Sequence, residues 1–227
     1  MDFLYINFYV CLRLQFLDVE TNLGLWGPVP AVCRILCSNV QGLAGNLSDL
    51  TMALSQYDIL LCSEILVSDM RHMSEVLVPC FGRNVLLCWG KMPHAHGMAA
   101  YIRDGYGAFC QPKYECGYCK MLFFMVFGLR QNLYVYSLYH NPDLDYQISD
   151  CLPASMAAVQ SEDVHASFLF GGDLNSHHEE WLSSTTTTHH GVEAFDFAKL
   201  SGCDQLVVSP TQAHGGTLDL LMTDVPD

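Results

Sequence analysis

The stretch that most constrains this chain is Ala166 to His178, ASFLFGGDLNSHH, where an apolar run stops at a glycine pair and acid and amide side chains follow at once. Phe168, Leu169 and Phe170 make a short apolar run bounded by a turn signal, the pattern of a buried strand. Gly171 and Gly172 permit backbone angles and close approaches that a Cβ forbids. If the extended path continues, Asp173 and Asn175 are two apart and point to one side. The motif then lifts a carboxylate and a carboxamide out of the core onto the lip of a sheet. A carboxylate can hold a metal or take a proton from water; an amide can fix an oxyanion or the water itself.

The same design recurs at four other places. CRILCSN ends in Asn39, and YDILLCSE ends in Glu64. LYVYSLYHNPD carries Tyr139, His140 and Asn141 just past an apolar run, and GGTLDLLMTD sets Asp219 inside one. Apolar strands that each deliver one polar group are what a site built from several strand ends requires.

Between these motifs the grammar alternates. Leu43, Leu47, Leu50, Leu54 and Tyr57 recur at helical spacing, and 70–78 reads as a weaker helix or loop. Strands are expected at 85–89, around HGMAAYIRDG with a turn at Asp104-Gly105, at 121–129 and at 133–139. A helix starts near Asp150, with Pro153 tolerable only in its first turn. Another helix spans 192–200 and is closed by Gly202, and the last strands lie at 205–208 and 217–222. Ser183 to His190 reads as a polar loop with His189 and His190 exposed. Residues 1–31 differ: MDFLYINFYVCLRLQFL is apolar but broken by Arg13, too short for a membrane span, and followed by the breaker WGPVP. They read as an appendage outside the domain, which is expected to be a single one over 32–227 with two packed sheets.

A 227-residue chain that is 51% hydrophobic can bury a real core. The net charge of −14 argues against broad, tight, non-specific DNA binding but suits a site made of carboxylates. Among the 11 cysteines, Cys33, Cys37, Cys62 and Cys88 sit inside apolar runs, as buried thiols do in a reducing compartment. Cys116 and Cys119 form one CxxC without a second pair, so a zinc site is not expected there. No G-x-S-x-G elbow and no G-x-x-x-x-G-K-[ST] loop is present, which excludes the usual serine hydrolase and P-loop designs. Glu64 and Asp173 are hard oxygen ligands suited to Mg²⁺ or Mn²⁺, in a half-filled shell completed by water and substrate phosphate.

The order SNVQGL, the strand ending in Glu64, SLYHNPDLD, GGDLNSHHEEW and GGTLDLLMTD resembles the endonuclease/exonuclease/phosphatase superfamily. Within it, the chain most resembles the apurinic-endonuclease-type domain of non-LTR, jockey-type retrotransposons, over about Arg34 to Asp227. The resemblance implies an α/β four-layer sandwich of two mixed β-sheets flanked by helices, and metal-dependent phosphodiester cleavage. It implies Glu64 and Asn39 as the metal-binding pair and Tyr139 at the scissile phosphate. It implies Asp173, with Asn175 beside it, as the group that positions or deprotonates water, and Asp219 as an aspartate that orients a histidine. His140, Asn141 and His178 are the implied phosphate or nucleic-acid contacts. The implied partner is DNA, held by local contacts, with no membrane, a monomeric state and a nuclear location. Three departures stand out. Ser63-Glu64-Ile65 replaces the family's Gln-Glu-Thr, His140 replaces an arginine, and the closing Ser-Asp-His motif is absent, from which impaired cleavage by a truncated chain is expected. An inactive relic with weak nucleic-acid binding and a phosphatase acting on small phosphoesters are the alternatives.

Overall fold

The computed structural model describes residues 10–12, 33–42, 56–66, 85–88, 97–115, 120–127, 131–140, 148–180, 184–207, 210–211 and 217–225. Two mixed sheets face each other. The first has five strands in the order β1 (Val10–Leu12), β2 (Cys33–Asn39), β3 (Ile59–Ser63), β5 (Met98–Ile102) and β4 (Val85–Cys88). The second has six, in the order β10 (Asp204–Gln205), β11 (Asp219–Thr223), β9 (Ser167–Asp173), β8 (Leu133–Tyr139), β7 (Lys120–Phe127) and β6 (Gly107–Cys110). Pairs β2–β3 and β8–β9 are parallel and the other pairs antiparallel.

The alternation of side chains along a strand explains the layers. Cys33, Ile35 and Cys37 of β2, with Ile59 and Leu61 of β3, face Leu122 and Phe124 of β7, Leu133 and Val135 of β8, Leu169 of β9 and Leu221 of β11 across the inter-sheet core. The intervening residues of the second sheet, among them Phe123, Tyr136, Phe168, Phe170 and Met222, pack outward on two helices. These are α1 (Ile148–Glu162) and α2 (His189–Leu200). Leu152, Met156 and Val159 are the buried stripe of α1, and Ala194, Phe197 and Ala198 that of α2. Phe168 and Phe170 are fully buried, and burial of each such side chain contributes roughly 1.5–3 kcal/mol. Strands covered on both faces read as unbroken apolar runs, which is why LYVYSLY and SFLFGGD show no alternation in the sequence.

The expected α/β sandwich of two mixed sheets is observed, with several local differences. Val10–Leu12, inside the segment read as an appendage, pairs with β2 and extends the first sheet at its edge, because backbone groups of an outer strand accept any extended partner. Pro153 is the sixth residue of α1, beyond the first turn, and the helix runs through it on its exposed side. α2 begins at His189 rather than Val192: Thr188 is its N-cap, and its Oγ1 accepts from the Gly191 N–H at 3.2 Å. β6 and a short 3-10 turn at Pro112–Tyr114 carry no sequence signal strong enough to be expected. Cys33, Cys37 and Cys62 are buried free thiols as expected, whereas Cys151 is disulfide-bonded. The helices expected over 43–57 and 70–78 lie outside the described residues, apart from Gln56 and Tyr57. Among the described residues no helix is long and apolar enough to cross a membrane.

Candidate active site

The inner-face alternation carries past the end of the core and turns polar. On β8 the series Leu133, Val135 continues at every second residue to Tyr139; on β9, Leu169 and Gly171 lead to Asp173; on β11, Leu221 leads back to Asp219. The register aligns them: Tyr139 is opposite Asp173, and Asp173 is opposite Asp219. Tyr139, Asp173 and Asp219 thus form one row across three adjacent strands, at one end of the cleft between the sheets. Asn39 ends the inward series of β2 in the same way, and Glu64 follows β3 directly.

Hydrogen bonds tie the two sheets together here. Asn39 Nδ2 donates to Asp173 Oδ2 at 2.9 Å, and Tyr139 Oη donates to Glu64 Oε1 at 2.8 Å. The Asn175 N–H donates to Asp173 Oδ1 at 3.0 Å, so both oxygens of Asp173 are oriented. Backbone strain gathers at the same place. Glu64 has φ of 53° and Asn175 of 45°, left-handed values that non-glycine residues seldom adopt and that cluster at functional sites. Gly172, at φ of 143°, is needed because a Cβ there would strike the Leu138 carbonyl oxygen of β8. At Gly171 a Cβ would lie 2.8 Å from Cys37 Sγ and 2.8 Å from Leu221, so its absence lets the sheets close on each other.

Charge is concentrated in this row. Burial pushes the Asp173 carboxyl up; Asn39 and the Asn175 N–H pull it down, and Glu64 pushes it up again. Asp219, 9% exposed, is raised further by burial and by the neighbouring Asp173. Its Oδ1 is buried with no hydrogen-bond partner among the described residues. Acids that desolvation and mutual repulsion both disfavour are what a bound cation would relieve. The ligand atoms of Glu64, Asp173 and Asp219 are not gathered within 4.8 Å of one another, so they offer a partial shell and not a closed cage.

Of the expected site residues, the structure therefore brings together Asn39, Glu64, Tyr139, Asp173 and Asp219. Asn39 is spent as a donor to Asp173, while its Oδ1 accepts from the Gln41 N–H at 3.3 Å, which makes it an orienting residue more than a ligand. At Asn175 the chain leaves the extended path; the residue stays beside Asp173 through its N–H, and its Nδ2 donates to the His140 carbonyl at 2.8 Å. His140 is 2% exposed, with its ring 4.3 Å from that of His190, so the expected phosphate contact is replaced by packing on α2. His178 stacks on Phe195 at 4.3 Å, and Asn141 lies outside the described residues. His189 is exposed as expected, with 78% of its side chain accessible, but His190 at 21% is half-buried.

Lys120 was missed. It opens β7 opposite Tyr139 and extends the row by one strand, with Nζ 5.0 Å from the centre of the Tyr139 ring, within cation–π range. The signal was a lysine opening the apolar run KMLFFMVF in a chain with only 10 Lys and Arg.

The fold and the row define a two-sheet α/β sandwich with an acidic site across its strand ends. The chain belongs to the Endonuclease/Exonuclease/phosphatase family, whose model matches residues 36–225. Among solved structures, it is similar to the endonuclease domain of TRAS1, a telomere-specific non-LTR retrotransposon (16% identity, TM-score 0.61, covering 84% of this chain and 83% of that one). It is also similar to the AP endonuclease LMAP from Leishmania major (12% identity, TM-score 0.63, 83% and 78% covered). A third is the APE2 catalytic domain of Xenopus laevis (11% identity, TM-score 0.59, 83% and 81% covered). No curated protein sequence matches the chain. Nucleases of this superfamily are generally dependent on divalent metal.

Proposed function

We propose that this protein is a Mg²⁺- or Mn²⁺-dependent phosphodiester hydrolase acting on DNA. It would be an endonuclease domain of the non-LTR retrotransposon kind, whose cut leaves a 3′-hydroxyl. The observation that carries this reading is the row Lys120–Tyr139–Asp173–Asp219, with Asn39 and Glu64 meeting it from the opposite sheet. The donor set is carboxylate oxygen, which fits a hard divalent ion and leaves room for water and phosphate.

Glu64 would hold the ion, with water and substrate phosphate completing its shell. When bound, it supplies charge neutralisation at the phosphate. Asp173, oriented at both oxygens by Asn39 and the Asn175 N–H, is placed to accept the proton of an attacking water, and its raised pKa suits a base working near neutrality. Tyr139 holds Glu64 by its hydroxyl, and Lys120 places a cation at the end of the row where a phosphate oxygen would lie. Asp219 Oδ1 has no donor among the described residues, so this carboxyl stands in the row without the partner that would put it to use, and cleavage would be slow.

The test is conversion of supercoiled plasmid to nicked circles at high protein concentration, in Mg²⁺ and in EDTA. Slow, Mg²⁺-dependent nicking that falls about 10²–10⁴-fold in Asp173→Asn supports the reading. Binding of plasmid without nicking would favour the relic, and phosphate release from a small monoester without nicking would favour the phosphatase.

A further inference from the structure

A second group of metal-ligating side chains lies outside the acidic row, at the start of α2. His189, His190 and Glu193 offer ligand atoms that all lie within 4.8 Å of one another. The helix makes this convergence. Successive residues are separated by about 100° around the axis, so Glu193 falls between the directions of His189 and His190, four residues from one and three from the other. Each oxygen of Glu193 faces a different ring: Oε1 is 3.6 Å from His189 Nδ1, and Oε2 is 3.8 Å from His190 Nδ1. Both distances are too long for hydrogen bonds. They are close to the roughly 3.3–3.4 Å that separates donor atoms around a tetrahedral ion with bonds of about 2.0–2.1 Å.

The surroundings hold these groups in place. His190 Nδ1 is buried and has no hydrogen-bond partner among the described residues, an uncommon condition for a polar atom. The His190 ring rests on that of His140, and the helix start is stapled to the loop after β9: the Thr188 N–H donates to the His177 carbonyl at 2.9 Å, and a Cβ at Gly191 would strike that carbonyl. His189, by contrast, is open to solvent, which leaves an entry path and room for a water ligand.

We infer that His189 Nδ1, His190 Nδ1 and the Glu193 carboxylate form a binding site for a borderline divalent ion of the zinc class, separate from the hard-ion row. Two imidazoles and one carboxylate select Zn²⁺ or Co²⁺ over Mg²⁺, and three protein ligands leave the fourth position to water. The bound ion ties the first turn of α2 to itself and, through His190, to the His140 segment that follows Tyr139.

Co²⁺ is the probe, added to the metal-stripped 227-residue protein in excess Mg²⁺ and followed by visible absorption. The expected result is one tight Co²⁺ per chain, displaced by Zn²⁺, with a d–d spectrum free of thiolate charge-transfer bands. His189→Ala and Glu193→Gln should each weaken binding more than about tenfold, the loss seen even for supporting partners of a ligand. Glu64→Gln and Asp173→Asn should leave it unchanged. His189 is exposed, so its replacement does not perturb the core, and the test survives even if His190→Ala misfolds. Absence of Co²⁺ binding, a thiolate spectrum, or affinity indifferent to His189→Ala and Glu193→Gln overturns the site. None of these outcomes bears on plasmid nicking.

Discussion

Asp173 and Asp219 sit side by side in the inter-sheet cleft, and their folded-state pKa values are both raised, first by burial. A carboxyl whose folded pKa exceeds its unfolded value stabilises the fold below the unfolded value near pH 4, and that stabilisation is lost as pH rises through the folded value. The metal-free protein should therefore melt at a lower temperature at pH 8 than at pH 5 in EDTA. Asp219→Asn should flatten that slope and raise stability at pH 8 by on the order of 1 kcal/mol or more. A wild-type and variant with parallel pH profiles would show that Asp219 is not under this strain. Tyr139 offers a second contrast, since its hydroxyl is spent on Glu64. Tyr139→Phe should cost about 1 kcal/mol in stability, read by urea denaturation, and about 100-fold in nicking. A loss confined to stability would make the hydroxyl structural.

β9 is the element on which the site depends, and its two glycines do different jobs. At Gly172 a Cβ meets the backbone of β8 in a left-handed conformation, and neither can yield. Gly172→Ala should destabilise by about 2–4 kcal/mol, measured by the denaturant midpoint. At Gly171 the obstacles are the side chains of Cys37, Leu61 and Leu221, which can shift, so Gly171→Ala should cost less, about 1–3 kcal/mol. The reverse order would mean that inter-sheet packing, not the backbone, sets the path of β9. This strand was readable because its apolar run is short and its glycines are paired. Asn39, Glu64, Tyr139, Asp173 and Asp219 were readable because each ends or interrupts such a run. The row that unites them was not, because register is fixed by pairings between distant segments. For the same reason Lys120 was overlooked, although its alignment with Tyr139 is plain once β7 and β8 are paired. The turn at Asn175 was not readable, because a left-handed residue after Asp173 leaves no mark in side-chain alternation. His140 was misplaced because the helix that buries it starts three residues earlier than its apolar spacing suggests.

At the scale of the whole molecule, the acids are gathered into one lip between two sheets that otherwise meet through apolar side chains. Residues 1–31 touch that arrangement, among the described residues, only through the three-residue edge strand Val10–Leu12. Their deletion should lower the melting temperature by less than about 5 °C, the shift of roughly one or two kcal/mol in a domain of this size. A larger loss would make the segment part of the core. With a net charge of −14, the proposed DNA substrate would have to be held locally, against a repulsive field. The acidic row is the proposed metal-dependent phosphodiesterase site. It is tested most directly by plasmid nicking in Mg²⁺, with the wild-type chain and Asp173→Asn prepared side by side. Slow nicking by the wild type is expected, abolished by EDTA and reduced at least about 100-fold in the variant. Equal nicking by both proteins, or none above buffer by either, would contradict it.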